Sequence, residues 1–179
     1  MRIAISSGHG LHVRGASGIL DEVNEARRVT NRVAEILRER GHEAAVFHDD
    51  ASRTVGDNLN AIIAWHGARM RDIDVSVHFN AFHDPNAHGT EVLYSTEKSA
   101  PLAEGVALAM SAAGFRLRPA QGGATRPGTV LRNNLAFLNR LRSRPAVLLE
   151  VCFVTARRDA DIYNANFEAL CKYIAAALN

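Results

Sequence analysis

The sequence predicts a single three-layer α/β domain, in which a mostly parallel twisted sheet is flanked by helices on both faces. Strand patterns alternate with helix patterns along all 179 residues, as is typical of parallel sheets. The segment AVLLEV at 146–151 is a continuous apolar run, as expected of a strand that is covered on both faces. No repeat, low-complexity tract or long linker divides the chain, so we expect one domain over residues 1–179.

The first half of the chain contains three strand patterns separated by two helix patterns. RIAIS at 2–6 predicts a short strand, and the apolar stripe of residues 21–40 predicts a long helix. EAAVFH at 43–48 predicts the second strand, and residues 57–71 predict the next helix. In DVSVHF at 74–79, apolar and polar residues alternate, which indicates a third strand.

The second half continues the alternation, with one ambiguous segment. TEVLYS at 90–95 predicts the fourth strand, and the Ala-, Leu- and Val-rich residues 97–113 predict a helix. Residues 118–129 contain three glycines and two prolines, which favour a surface loop. Residues 130–142 fit either a strand or a helix, and the pattern leaves both open. After the apolar strand, a last helix is predicted at about 160–178.

The bulk composition excludes several classes of function. The net charge of +2 is too small to indicate a nucleic-acid partner. Cys152 and Cys171 lie in apolar segments, so we expect buried thiols and neither a disulfide framework nor a CxxC metal site. The N-terminal MRIAISSGHG fits no signal peptide, and no apolar run reaches the length of a membrane span. We therefore expect a soluble protein that is made in the cytoplasm and does not insert into membranes.

Three reactive side chains follow or end predicted strands. His9 follows the first strand, His78 lies near the carboxyl end of the third, and Glu150 lies near the carboxyl end of AVLLEV. In parallel sheets, sites lie beyond the carboxyl ends of the strands, so these groups point to one rim. Ser76 and Asn80 flank His78 on one face of its strand. A carboxylate such as Glu150 in an apolar strand is costly to bury unless a cation, a proton or a metal lies nearby.

A second carboxylate is predicted at the same rim. Helical periodicity places Glu22 at the centre of the buried stripe of the first helix and Glu25 at its edge. The alternative interpretation of Glu22 is an acid in the first turn, favoured there by the helix dipole. Two histidines and a carboxylate, with a fourth position open to water, form the ligand set of a catalytic zinc site. We therefore predict that His9, Glu22 and His78 bind zinc, while Glu150 remains free as a general base.

Four segments, in chain order, resemble the catalytic domain of the zinc-dependent N-acetylmuramoyl-L-alanine amidases of the Amidase_3 type, which occur in bacterial autolysins and phage endolysins. SSGHG at 6–10 is similar to the family's strand followed by a Gly-His-Gly turn. The segment 20–50 resembles its ligand glutamate, long helix, glycine and second strand. SVHFNA at 76–81 resembles its S-x-H-x-N segment, and PAVLLEVCFVT at 145–155 resembles the segment with its catalytic glutamate. The resemblance spans residues 3–155.

The resemblance implies a peptidoglycan hydrolase with one Zn²⁺ per chain, and it gives each reactive residue a role. His9, Glu22 and His78 match the zinc ligands, and Glu150 matches the catalytic base. The implied reaction is hydrolysis of the amide between the lactyl group of N-acetylmuramic acid and the L-Ala of the stem peptide. We expect this activity to serve phage or prophage lysis of the host, with access to the wall through a holin or after lysis. The family usually joins this domain to a cell-wall-binding module, and no such module is recognisable in residues 1–179.

The substrate contacts and two alternative functions are less closely defined by the sequence. We expect Asn80 to contact substrate beside His78, and Arg126 or Arg132, around the glycine-rich loop, to pair with a carboxylate of the stem. The protein is expected to be a monomer whose partner is bacterial peptidoglycan. Another zinc amidohydrolase or carboxypeptidase on a related fold remains open, as does a catalytically inactive wall-binding module. The presence of Glu150 argues against the inactive module, since such a module would not need the water-activating carboxylate.

Overall fold

The computed structural model describes residues 1–179 and contains six strands and five α-helices. The strands are β1 (Arg2–Ser7), β2 (Glu43–Phe47), β3 (Ile73–Asn80), β4 (Glu91–Tyr94), β5 (Thr129–Leu131) and β6 (Ala146–Phe153). The helices are α1 (Glu22–Glu39), α2 (Val55–Gly67), α3 (Ala100–Ala112), α4 (Ala136–Arg140) and α5 (Arg157–Ala177). None of the helices is long and apolar enough to cross a membrane.

The strands form one mostly parallel sheet in the order β2-β1-β3-β6-β4-β5. β1, β2, β3 and β6 run in one direction, whereas β4 pairs with β6 in the antiparallel sense and β5 runs parallel to β4. Two parallel strands need a crossover connection, usually a helix. Residues 81–90, between β3 and β4, contain no helix, so the chain returns in the opposite direction. The predicted three-layer α/β domain is confirmed.

Helices cover both faces of the sheet and create two cores. α1, α3 and α5 pack together over the larger core, which includes Val75 and Val77 of β3. α2 and α4 cover the opposite face over a smaller core, to which Leu148 of β6 contributes. Because both faces are covered, β6 reads as a nearly continuous apolar run.

The predicted elements are present, and a few boundaries differ. The ambiguous segment 130–142 contains both the end of β5 and the short helix α4. The helix predicted at 57–71 ends at Gly67, because residues 68–72 form the turn that leads into β3. The first residues of the helix predicted at 97–113 form a 3₁₀ turn, Glu97–Ser99, before α3 begins. Cys152 and Cys171 are free and buried, as predicted.

A buried polar network fixes α2 to the sheet. Nε2 of His66 lies 3.0 Å from Oγ of Ser6 in β1, and its Nδ1 lies 2.7 Å from Oδ1 of Asp74 in β3. Arg71 donates from Nε to the same aspartate oxygen. Ser6, His66 and Asp74 are all fully buried. Desolvation lowers the pKa of His66, although the hydrogen bond to Asp74 opposes it. We call these four residues the His66 network.

Candidate active site

Three elements bring His9, Glu22 and His78 together at one rim of the sheet. His9 lies in the loop after β1, Glu22 is the first residue of α1, and His78 lies near the carboxyl end of β3. One ligand atom from each residue lies within 4.8 Å of the other two. Oε1 of Glu22 is 3.2 Å from Nδ1 of His78 and 3.6 Å from Nε2 of His9. The structure therefore brings together the three residues that the sequence predicted as metal ligands.

The start of α1 holds the carboxylate of Glu22 in place. Asp21 caps the helix by accepting a hydrogen bond from the backbone N–H of Asn24. Glu22 is only 3% exposed, and its two oxygens accept hydrogen bonds from the backbone N–H groups of Ala16, at 2.7 Å, and Phe79, at 3.1 Å. Desolvation would raise the pKa of Glu22, but the hydrogen bond to His78 and the neighbouring histidines outweigh it and lower this pKa. The carboxylate is therefore held in its charged form.

Glu25, the competing acid of α1, lies outside this cluster. Its Oε2 accepts hydrogen bonds from Tyr163 Oη at 2.8 Å and from Arg28 at 2.6 Å. The helix phase inferred from the sequence is thus confirmed, since it is Glu22 that reaches the histidines.

Two glycines leave room for the cluster. A Cβ at Gly8 would lie 1.9 Å from Nε2 of His78, so the imidazole ring fills the space where a side chain would stand. A Cβ at Gly15 would lie 2.4 Å from Oε2 of Glu22, and Gly15 has a φ of +69°, which side chains rarely adopt. The role of Gly15 was not recognised in the sequence, because only the fold brings it next to Glu22.

The two histidines differ in their preference for a proton. Desolvation and the neighbouring His78 lower the pKa of His9, which favours its neutral form. Desolvation also acts on His78, but the hydrogen bond to Glu22 and the charge of Glu150 outweigh it and raise the pKa. The two rings meet edge to face, with centroids 5.0 Å apart. Glu22 and Glu150 thus favour a positive charge on His78.

Glu150 lies on β6 in direct register with His78 on β3. Its Oε2 is buried and has no hydrogen-bond partner within the chain. Burial raises the pKa of Glu150 to about 8, with further contributions from the nearby charges of Glu22 and Glu91, which outweigh the opposing effect of His78. A carboxyl group with such a pKa can accept and release a proton near neutral pH.

A third carboxylate of the rim, Glu91, lies beside Glu150 and was missed in the sequence. Glu91 of β4 pairs with Glu150 across the antiparallel strands and is 8% exposed. Its Oε1 accepts a hydrogen bond from Nδ2 of Asn80, and its Oε2 accepts one from Nε of Arg118 at 2.8 Å. Gln121 lies near the same oxygen, at 3.5 Å. The sequence did contain a signal, namely an acidic residue inside a strand that was expected to be buried. The partners of Glu91 could not be inferred without the strand order.

An apolar groove opens beside the two histidines on the face covered by α2 and α4. It has a volume of about 180 Å³, and both His9 and His78 line it. We call it the α2–α4 groove, and its apolar lining is Val55, Leu59, Ile62, Leu135, Ala136, Phe137 and Leu148. The rim therefore has a polar side near β4 and an apolar side near α2.

The structure places the two predicted substrate-binding arginines away from the cluster. The side chain of Arg126 is 69% exposed, and its Nε lies 3.9 Å from Glu104 of α3, which packs on the opposite face of the sheet. The backbone N–H of Arg132 donates to Tyr94, at the end of β4 remote from Glu91. Asn80 is at the rim, but its amide is engaged with Glu91. A substrate contact of Arg126 or Arg132 thus gains no support from their positions.

Comparison with known proteins identifies the family. The family model described as N-acetylmuramoyl-L-alanine amidase matches residues 3–179. The chain belongs to the N-acetylmuramoyl-L-alanine amidase family. Two uncharacterized proteins of Clostridium perfringens are each 28% identical to it, over 98% and 100% of this chain. The chain spans about half the length of these curated relatives, namely 50% and 52%.

Solved structures of amidase domains share this fold. The catalytic domain of the CD27L endolysin targeting Clostridia difficile superposes with a TM-score of 0.87 and 23% identity, covering 99% of this chain and 96% of that one. The amidase AmiC2 of Nostoc punctiforme gives a TM-score of 0.80 and 23% identity, with 99% and 94% covered. The catalytic domain of CwlV from Bacillus (Paenibacillus) polymyxa gives 0.77 and 21%, with 99% and 96% covered. The six-stranded α/β architecture is therefore that of amidase catalytic domains.

Proposed function

We propose that this domain is a zinc-dependent peptidoglycan amidase, which cleaves the amide between the lactyl group of N-acetylmuramic acid and the L-Ala of the stem peptide. The observation that carries the proposal is the cluster of His9, Glu22 and His78 beside Glu150. Membership of the amidase family supports the substrate and the bond. The two alternatives, another zinc hydrolase and an inactive wall-binding module, differ from this proposal in the products that they would release.

The donor atoms of the cluster fit zinc. In a tetrahedral site with bonds of about 2.0–2.1 Å, the donor atoms lie about 3.3 Å apart. The distances from Oε1 of Glu22, 3.2 Å to His78 and 3.6 Å to His9, agree with this spacing. The neutral form favoured at His9 and the charged form favoured at Glu22 are those that bind a metal, whereas His78, whose pKa is raised, must release its proton when a metal binds. These three residues would hold the ion, and His9 and His78 leave part of the site open to the α2–α4 groove.

The chain's own residues supply orientation and proton transfer. A zinc ion held by His9, Glu22 and His78 would supply Lewis-acid activation of the scissile carbonyl and of the attacking water. Glu150 accepts the proton of the attacking water and donates a proton to the leaving nitrogen of L-Ala. Its register with His78 supports this role, and burial raises its pKa to about 8. The backbone N–H groups of Ala16 and Phe79 fix the carboxylate of Glu22 during this exchange.

Mass spectrometry of digested peptidoglycan tests the proposed bond. The amidase should release stem peptides that begin with a free L-Ala amine and should leave glycan chains intact. New reducing sugar ends or free terminal D-Ala would contradict the proposal, because they require cleavage of other bonds. Glu150→Gln is the matched control, since it should retain zinc, bind the wall and release no stem peptide. Metal analysis of the purified protein should give about one zinc per chain.

For the biological role, we propose lysis of a bacterial host from within by a cytoplasmic monomer that reaches the wall after release. The endolysin catalytic domain among the similar folds supports this role. Induced expression alone should leave cells intact, while co-expression with a holin should lyse them and Glu150→Gln should not. Lysis by this chain without a holin would contradict the need for release, and light scattering at a mass other than about 19.5 kDa would contradict the monomer.

A further inference from the structure

The reactive groups of the rim follow the strand order of the sheet. His9 follows β1, His78 lies on β3, Glu150 lies on β6, and Glu91 lies on β4, which is the next strand. Neighbouring strands lie about 4.8 Å apart, so these groups form a row across the rim. The metal-ligating cluster lies at one end of this row, and Glu91 with its partners lies at the other.

This row gives the scissile amide a direction, if the domain performs the reaction proposed above. The scissile carbonyl lies at the His9–Glu22–His78 cluster, whereas the leaving nitrogen must lie within reach of Glu150, because Glu150 protonates it. The bond therefore points from β3 toward β6. The stem peptide continues beyond its nitrogen toward β4, and the lactyl half of the substrate lies on the side of the α2–α4 groove.

Arg118 lies at the β4 end of the row, and some of its N–H groups form no hydrogen bond within the chain. Its Nε donates to Glu91, and its guanidinium lies over the ring of Phe153, 4.9 Å from the centroid. These two contacts fix the plane of the guanidinium, while the side chain remains 27% exposed. The terminal amino groups form no hydrogen bond or ion pair within the chain. A fixed guanidinium with free terminal N–H groups is the geometry that binds a carboxylate through two parallel hydrogen bonds.

We infer that Arg118 recognises the free carboxylate of the second residue of the stem peptide. An extended peptide advances about 3.3–3.6 Å per residue, so this carboxylate lies about 7 Å beyond the leaving nitrogen. That length carries it past Glu150 and across one strand spacing to the position of Arg118. Glu91 positions Arg118, because it is buried and paired with the guanidinium. Glu91 does not itself bind the substrate, since two carboxylates repel each other.

Two synthetic muramyl tripeptides test this assignment with the zinc-loaded protein. They differ only in whether the second stem residue carries a free carboxylate or the corresponding carboxamide. The unaltered protein should prefer the carboxylate by about tenfold or more in kcat/KM, mainly through KM, since a charge-assisted pair is lost with the amide. Arg118→Gln should abolish the preference, and Arg118→Lys should retain part of it. Arg40→Gln is the matched control and should keep the full preference, because Arg40 is exposed and lies at the end of α1 opposite to Glu22.

Circular dichroism and zinc analysis show whether Arg118→Gln is folded. If it is not, the preference of the unaltered protein for the carboxylate tripeptide still tests the inference. Equal cleavage of both tripeptides by the unaltered protein would overturn the inference, as would a full preference in a folded Arg118→Gln. A different failure separates the two proposals. If neither tripeptide nor intact peptidoglycan is cleaved, the proposed function itself fails, and the inference fails with it.

Discussion

Replacement of Glu150 by Gln should separate the cost of burying this carboxyl group from its catalytic use. Glu150 has a buried oxygen without a partner, and burial raises its pKa from 4.5 to about 8. The unfolded chain has an ordinary glutamate pKa, so between these two values the folded protein binds a proton that the unfolded chain has lost. The free energy of unfolding of the metal-free protein therefore falls as the pH rises from about 4.5 to about 8.

The expected magnitude follows from the same two pKa values. At pH 7, the raised pKa of Glu150 lowers the free energy of unfolding by about 3 kcal/mol, since each pKa unit corresponds to about 1.4 kcal/mol. Gln has a similar shape and no charge, so Glu150→Gln should recover about this amount at pH 7 and almost nothing at pH 4. The same substitution should lower the rate of the zinc-loaded protein by about 100- to 10,000-fold, because a positioned general base is lost.

Urea unfolding of both proteins in excess chelator, at pH 4, 7 and 8, measures the stability difference. The reasoning would be refuted by a Glu150→Gln protein that is less stable than the parent at pH 7, or by a difference that does not grow with pH. On the catalytic side, full hydrolysis of peptidoglycan by a zinc-loaded variant would show that the base is another group. Loss of zinc in the variant would show that Glu150 is itself a ligand.

Three further predictions concern the metal ligands and the surface. Glu22→Ala should lose zinc whereas Glu25→Ala should keep it, as measured by metal analysis, and the reverse result would mean that the helix phase does not determine the ligand. Gly8→Ala should disturb the cluster as severely as His78→Ala, since its Cβ would lie 1.9 Å from the imidazole nitrogen, and an unchanged zinc affinity in titration would disprove this steric argument. Hydrogen bonds from a neighbouring arginine lower the pKa of Asp72 to about 2, so its contribution to stability is complete above the unfolded value near 3.8 and is lost as the pH falls through about 2. Asp72→Asn should therefore lower the urea midpoint at pH 7 and leave it unchanged at pH 1.5, and an equal decrease at both pH values would exclude a charge effect.

Local rules were sufficient to predict from the sequence that His9, Glu22 and His78 lie together. The 3.6-residue period of α1 separates Glu22 from Glu25, and the structure pairs Glu25 with Arg28 and Tyr163 instead. The cost of burying a carboxylate drew attention to Glu150, which lies in register with His78. Both inferences rest on periodicity and burial, which are properties of a short segment.

Features that depend on the strand order could not be inferred in this way. Glu91 meets Glu150 only because β4 turns back and pairs with β6, and no local pattern encodes that pairing. Arg126 or Arg132, around the loop 118–129, was predicted to pair with the substrate, and that contact stays a prediction; the fold brings Arg126 near Glu104 of α3 and Arg118 to Glu91. In a glycine-rich loop the backbone has many allowed conformations, so the residue type alone does not determine which arginine faces the rim.

The His66 network contains serine, histidine and aspartate in the hydrogen-bonding order of a hydrolase triad, yet it is sealed from solvent. A search for side-chain geometry alone would assign this chain a second, serine-based active centre, although no substrate can reach Ser6. The buried hydrogen bonds of the His66 network also affect how freely α2 can move. Because His66 joins α2 to β1 and β3 through buried polar contacts, moving α2 away would leave Ser6 and His66 without these hydrogen-bond partners. We therefore expect α2 to form a rigid wall of the α2–α4 groove.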